Sequence, residues 1–249
     1  MIGTRTTNPS TAVISVSFWY PFTLCSEVIL QYCLCHLQLN ISVDNAKIIL
    51  EYPIDLDEKD SQYWANMAFS LQREGKPKQA QKYYEKAIEI EPENISYLIN
   101  LGSVLNAQGK HSEAVKYLRY VTKVAPDYVE GWVNLSVAYL AAGNLNEGLI
   151  CCNKGLDLDP SNAVIWNNRG YIFRLQNKIE NAISDYDESL RLVPDSLHTL
   201  TNKLIAHGTL KQWHKVKSTS KKILKIDKYH KDALYWKAMV DDIENRDRE

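Results

Sequence analysis

The sequence predicts an all-α solenoid built from antiparallel helix pairs stacked in a row. Three observations carry this. Pro92, Pro126, Pro160 and Pro194 follow one another every 34 residues, in IEPEN, VAPDY, LDPSN and LVPDS. A fixed period of this size marks a repeat array rather than a single globular core. Other positions keep the same step. Ala80, Ala114 and Ala182 share one phase, with Gly148 in the third place, and Trp64, Trp132 and Trp166 share another, with Leu98 and Leu200 in the gaps. Within each interval, apolar residues recur at helical spacing twice. Trp166, Gly170 and Phe173 precede a break at Gln176-Asn177-Lys178, and Ile179, Ala182, Ile183, Tyr186 and Leu190 follow it.

The residue types explain how each pair holds. Gly102 and Gly170 occupy one phase, with Ala68 and Ser136 as small stand-ins, so two helix backbones can approach closely there. Tyr84, Leu118, Cys152 and Tyr186 fill the space beside them. Gly75, Gly109, Gly143 and Asn177 mark the break between the two helices. The closing proline ends the second helix because it lacks an amide proton and clashes with the preceding turn. The Asp or Ser after it is expected to cap the next helix.

Taken in order, residues 1–26 form an apolar leader. Residues 12–39 carry a single charge, Glu27, over a length that can span a bilayer. Pro21 and Glu27 interrupt that stretch, while Gln31, His36 and Gln38 dilute its second half. Arg5 is the only early basic residue and no A-x-A-like site follows, which argues against a secretory signal. Packing on the first repeat helix is therefore expected, and membrane contact through 12–39 is not favoured. Residues 27–60 read as a degenerate repeat: Ala46 and Leu50 keep the phase, Pro53 breaks the second helix early and Glu58 replaces the closing proline. Clear units follow at 61–94, 95–128, 129–162 and 163–196. Unit 197–230 is degraded, with Lys228 for the proline and Val216 for the alanine. Residues 231–249 read as a capping helix whose charged end solvates the last repeat.

Trp64, Met67, Ala68, Leu71, Ala80, Tyr84, Ala87 and Pro92 match the pattern of the tetratricopeptide repeat, and the chain closely resembles that family. The resemblance implies a right-handed superhelix whose first helices line a concave groove. It places Asn66, Asn100, Asn134, Asn168 and Asn202, each two residues after the tryptophan position, in that groove. The repeats look like those of O-linked N-acetylglucosamine transferases, in which an asparagine ladder holds extended peptides. An amide both donates and accepts, so it can bind peptide backbone whatever the side chains are. Bonding to neighbouring repeat backbone is the competing role. Further groove positions are Phe69, Ile99, Val133, Val137 and Tyr171, with Arg73 and Arg174 further along the same helices; Asn167 stands at the Ile99 and Val133 position. The carboxylate clamp of chaperone-tail binders is absent, because Ala65, Glu130 and Asn134 occupy its basic positions.

The balance of 29 basic and 30 acidic residues leaves a net charge of −1, so the chain as a whole is no nucleic-acid binder. The second helix of the fifth unit is locally basic, with Lys211, His214, Lys215, Lys217, Lys221, Lys222 and Lys225. It can meet an acidic partner or an anionic membrane, although a solvated outer face is the simpler reading. Cys25, Cys33, Cys35, Cys151 and Cys152 are odd in number and form no C-x-x-C pair, consistent with free thiols in a reducing cytoplasm. His207 and His214 lack a third ligand at suitable spacing, so no metal is expected. No phosphate-binding loop, nucleophile elbow or H-E-x-x-H occurs, and the ends outside the repeats are too short for a catalytic domain. The reading is a non-enzymatic, cofactor-free cytoplasmic scaffold or adaptor that binds an extended, weakly charged peptide or partner helix. The alternatives are a membrane-tethered assembly factor and a regulatory subunit of an enzyme supplied in trans. Nothing in the sequence bears on oligomeric state.

Overall fold

A computed structural model describes residues 60–246. The leader at 1–26 and the degenerate repeat at 27–60, apart from Asp60, lie outside the described residues. Among those described there are eleven α-helices and no strand: α1 Ser61–Arg73, α2 Pro77–Ile90, α3 Ile95–Ala107, α4 His111–Val124, α5 Val129–Ala141, α6 Leu145–Leu158, α7 Ala163–Leu175, α8 Ile179–Leu192, α9 Leu197–Thr209, α10 Trp213–Ile226 and α11 Lys231–Arg246. They form an all-α solenoid of helix pairs.

The boundaries follow from local chemistry. Odd-numbered helices α1, α3, α7 and α9 are capped by Asp60, Asn94, Asn162 and Ser196, whose side-chain oxygens accept from backbone amides of the first turn. The cap is thus the second residue after the closing proline, not the first as expected. Tyr128 holds the equivalent place before α5 and makes no side-chain cap. Each second helix ends at the residue before the proline, which is pushed out of helical conformation by the ring that follows. Glu91, Ala125, Asp159 and Val193 all take this turn, with φ between −126° and −136°. Asp227 takes it too, at φ −131°, although Lys228 follows it. The fifth unit therefore keeps the same geometry without its proline.

The turn inside each pair is also periodic. Gly75, Gly109, Gly143, Asn177 and Lys211 all have positive φ, between 53° and 79°. The next amide in each case bonds back to the carbonyl five residues earlier, from Lys76 to Leu71 through Gln212 to His207, at 2.8–3.0 Å. This closes the first helix with a left-handed residue, a conformation glycine adopts freely and lysine does not.

Packing inside a pair depends on the small residue. A Cβ on Gly102 would fall 2.7 Å from Leu118, and one on Gly170 would fall 2.8 Å from the Tyr186 ring. Ala68, Ala80, Tyr84, Ala114, Leu118, Ala182 and Tyr186 are fully buried. Between units, Trp132 Nε1 donates to Pro126 O at 2.7 Å and Trp166 Nε1 to Pro160 O at 2.8 Å. The periodic tryptophan thus ties down the linker that the proline creates. Successive first helices pack on one another from α1 to α11, while successive second helices do not pack in this way. The first helices form the inner row of the array and the second helices the outer one. At the far end, Trp236 of α11 covers Gly208, where a Cβ would lie 2.3 Å from the indole.

Candidate functional site

The inner row presents one continuous surface, and its asparagines are not equivalent. Asn66 Oδ1 accepts from Gln62 Nε2 at 2.8 Å. Asn134 Nδ2 donates to Glu130 O at 3.0 Å within its own helix, while its backbone carbonyl accepts from Asn106 Nδ2 at 3.1 Å. Asn202 Nδ2 donates to Asn167 Oδ1 at 3.0 Å in the interior. Asn168 Nδ2 has no partner among the described residues, although its own position shields it from water. Asn66, Asn100, Asn134 and Asn168 are half-buried.

Two positions expected on the groove surface lie beneath it. Ile99 and Asn202 are each 6 % exposed, and Asn167 beside them is 5 % exposed. The reason differs for the two types. Ile99 joins the apolar core of the first units, whereas the two amides satisfy each other between α7 and α9. Val133, Val137 and Tyr171 are half-buried, and Phe69 and Arg73 are exposed. Phe69 at 50 % and Val164 at 54 % are large apolar side chains in water on first helices.

Few charges reach this surface. The Arg174 guanidinium stacks 4.6 Å from the Tyr171 ring. It also bears on the buried Tyr186 hydroxyl, yet neither that hydroxyl nor Arg174 Nε completes a well-formed hydrogen bond among the described residues. Burial is the larger influence on Tyr186 and pushes its phenol up to about 12. Asn168 Nδ2, Arg174 Nε and the Tyr186 hydroxyl are thus buried donors without a hydrogen-bond partner among the described residues.

Unit four holds a further feature that periodicity did not reveal. Arg169 Nε and Nη2 bond to the two carboxylate oxygens of Asp185, each at 2.8 Å, and Nη1 donates to Asn153 Oδ1 at 3.0 Å. The guanidinium also lies 4.6 Å from the Trp166 ring. The signal was present in the sequence. Arg169 stands where Met67, Leu101 and Leu135 stand, and Asp185 where Tyr83, Tyr117 and Cys151 stand. Two apolar partners have been exchanged together for opposite charges.

The remaining candidates are structural in geometry. Cys151 and Cys152 are buried free thiols, and burial pushes them up to about 12 and about 11, far from reactive thiolates. His207 is buried and meets Gln212 Oε1 through Nδ1 at 2.8 Å, while His214 is exposed. Among the described residues no cluster of His, Cys, Asp or Glu could hold a metal ion. No described helix is long and apolar enough to cross a membrane.

A row of stacked helix pairs with one shared inner surface defines a protein-interaction solenoid. Tetratricopeptide repeat models match residues 60–127, 105–167 and 163–196, and the chain belongs to that family. Its fold is similar to that of Pseudomonas aeruginosa pilF, with a TM-score of 0.66, 19 % identity and coverage of 84 % of this chain and 95 % of that one. TTC0263, a thermophilic repeat protein of Thermus thermophilus, superposes with a TM-score of 0.63 at 18 % identity over 72 % of this chain and 98 % of its own. YrrB, described as a repeat protein with an unusual peptide-binding site, gives 0.56 at 15 % identity over 73 % and 94 %. In sequence, 54 residues are 37 % identical to the human mitochondrial import receptor subunit TOM70, covering 22 % of this chain and 9 % of the receptor.

Proposed function

We propose that the chain is a non-catalytic scaffold whose inner surface binds an extended, weakly charged peptide or partner helix. One observation carries the reading. Asn168 keeps an amide donor without a partner among the described residues, one helical turn before Tyr171, whereas Asn134 bonds its own helix at the surface and Asn202 bonds Asn167 in the interior. A buried unsatisfied donor is unfavourable, and it is relieved when the half-buried Asn168 side chain turns its amide toward the groove and meets a ligand acceptor such as a peptide carbonyl. Exposed Phe69 and Val164 on the same row add apolar contact for a partner of low charge. YrrB supports the reading by analogy of fold, as the resemblance to O-linked N-acetylglucosamine transferase repeats does for the asparagines. The free, buried Cys151 and Cys152 suit a cytoplasmic setting.

The test is selection of a displayed random-peptide library on the full chain, followed by affinity measurement for the enriched peptides. Asn168→Ala is expected to weaken them by about two- to tenfold, the value of one or two hydrogen bonds. Tyr171→Ala weakens them further, and Lys154→Ala on an outer helix leaves them unchanged. Enrichment of no peptide, or equal affinity for wild type and both groove variants, overturns the reading.

A further inference from the structure

The net positive charge of this chain is concentrated at one place. Residues 211–231 hold eight lysines against one acid, Asp227, a formal +7 in a chain whose total is −1. The rest of the molecule therefore carries −8.

The structure shows how these lysines are displayed. Helix α10 buries Val216, Ser220 and Ile223. His214, Ser218, Lys221 and Lys225 run along the opposite, exposed face, with Lys215 and Lys222 beside them. Two lysines are neutralised: Lys217 pairs with Glu244 at 2.5 Å, and Lys222 lies 3.7 Å from Asp195 and donates to Pro194 O. Lys215, Lys221, Lys225 and Lys228 make no ion pair among the described residues. Asp241 feels Lys221 but bonds to Lys237. Where the helix ends, apolar side chains stand in water beside the cations. Ile226 is 43 % exposed and Tyr229 is 72 % exposed, with Lys228 Nζ 4.7 Å from its ring centre.

We infer that the outer face of α10, with Ile226 and Tyr229, docks on an anionic lipid surface. The juxtaposition decides between partners. Unpaired lysines alone fit any polyanion, but an aliphatic and an aromatic side chain among them fit the headgroup boundary, where tyrosine partitions and lysine stems extend along apolar surface. Two cavities, of about 510 and 730 Å³, lie between other helices, lined by residues between Arg119 and Cys151 and between Ile88 and Tyr120. The described residues outside 211–231 carry a net −4, which the same surface repels, so the helix array approaches with α10 first. The inner row, which lies on the opposite side of each pair, stays free for its own partner.

Sedimentation of the full chain with phosphatidylcholine vesicles, with and without phosphatidylserine, tests this. Retention is expected on the anionic vesicles and lost when salt rises from about 0.1 M to about 1 M, which shortens the screening length from about 10 Å to about 3 Å. The variant K215Q/K221Q/K225Q/K228Q is expected to lose at least about a hundredfold in partition, since each lysine near such a surface is worth about fivefold. The control K78Q/K82Q/K123Q/K154Q, also at exposed sites, is expected to retain binding. Tyr229→Ser gives a smaller loss and serves as the readout should the quadruple variant not fold. Equal retention on neutral vesicles would assign the binding to another apolar segment and overturn the inference. So would equal loss in the control, no retention at all, or capture on immobilised poly-glutamate without vesicle binding.

Discussion

Asn202 of α9 donates its side-chain amide to the side-chain carbonyl of Asn167 in α7, at 3.0 Å and with both residues buried. This bond crosses from one unit to the next. It separates Asn202 from the other members of the asparagine column and makes a first prediction. Asn202→Ala strands the Asn167 oxygen without a donor and is expected to cost about 1–3 kcal/mol. Asn168→Ala removes a donor that has no partner among the described residues and is expected to cost less than about 0.5 kcal/mol. Urea denaturation of the two variants compares them directly. A larger loss in Asn168→Ala would contradict the assignment.

The Arg169–Asp185 pair makes the second. Asp185→Ala leaves a half-buried guanidinium without its carboxylate and is expected to destabilise units three to five by about 3 kcal/mol. Replacing both partners with the residues of unit two, Arg169→Leu with Asp185→Tyr, is expected to fall within about 1 kcal/mol of wild type or above it. A double variant as unstable as the single one would show that the ion pair itself, rather than the matching of partners, holds this unit.

A third concerns the turns. Lys211 is held at φ +53°, where the equivalent residues of three other units are glycine. Lys211→Gly is expected to raise stability by about 0.5–1 kcal/mol, the relief of left-handed strain less the added freedom of the unfolded chain. Asn177→Gly, at φ +61°, gains less because asparagine tolerates this region. Urea midpoints for the two variants check the order.

The fourth is a pH dependence. Burial is the main cause that holds His207 below its ordinary value, with Lys203 and Lys215 acting in the same direction and Gln212 and Asp187 against it. In the unfolded chain the imidazole titrates near about 6.5. As pH falls below that point, the unfolded state takes up the proton first. Stability is therefore full above about pH 6.5 and declines as pH falls toward the lower folded value. His207→Gln is expected to flatten this part of the melting profile, measured between about pH 8 and pH 5. An unchanged profile would place the titration on another group.

The period of 34 residues in Pro92, Pro126, Pro160 and Pro194 determined the solenoid by itself. It did so because each unit contacts only its neighbours, so a local pattern repeated often enough becomes the global architecture. Gly102 and Gly170 announced the close helix crossings, and Gly75, Gly109 and Gly143 the left-handed turns, because one conformation or one distance excludes other residues there. The sequence also carried the charge exchange of Arg169 and Asp185, legible only when two positions 16 residues apart are read as a pair. It could not say which asparagines were free. Asn168 and Asn202 share one phase, yet one amide lacks a partner among the described residues and the other meets Asn167. A hydrogen bond needs two groups within about 3 Å in the right orientation. That condition depends on the side chain supplied by the neighbouring unit, which is Asn167 for Asn202 and Val133 for Asn168 at the equivalent position. Periodicity placed the column, and only the packing of one unit on the next decided which of its members face inward.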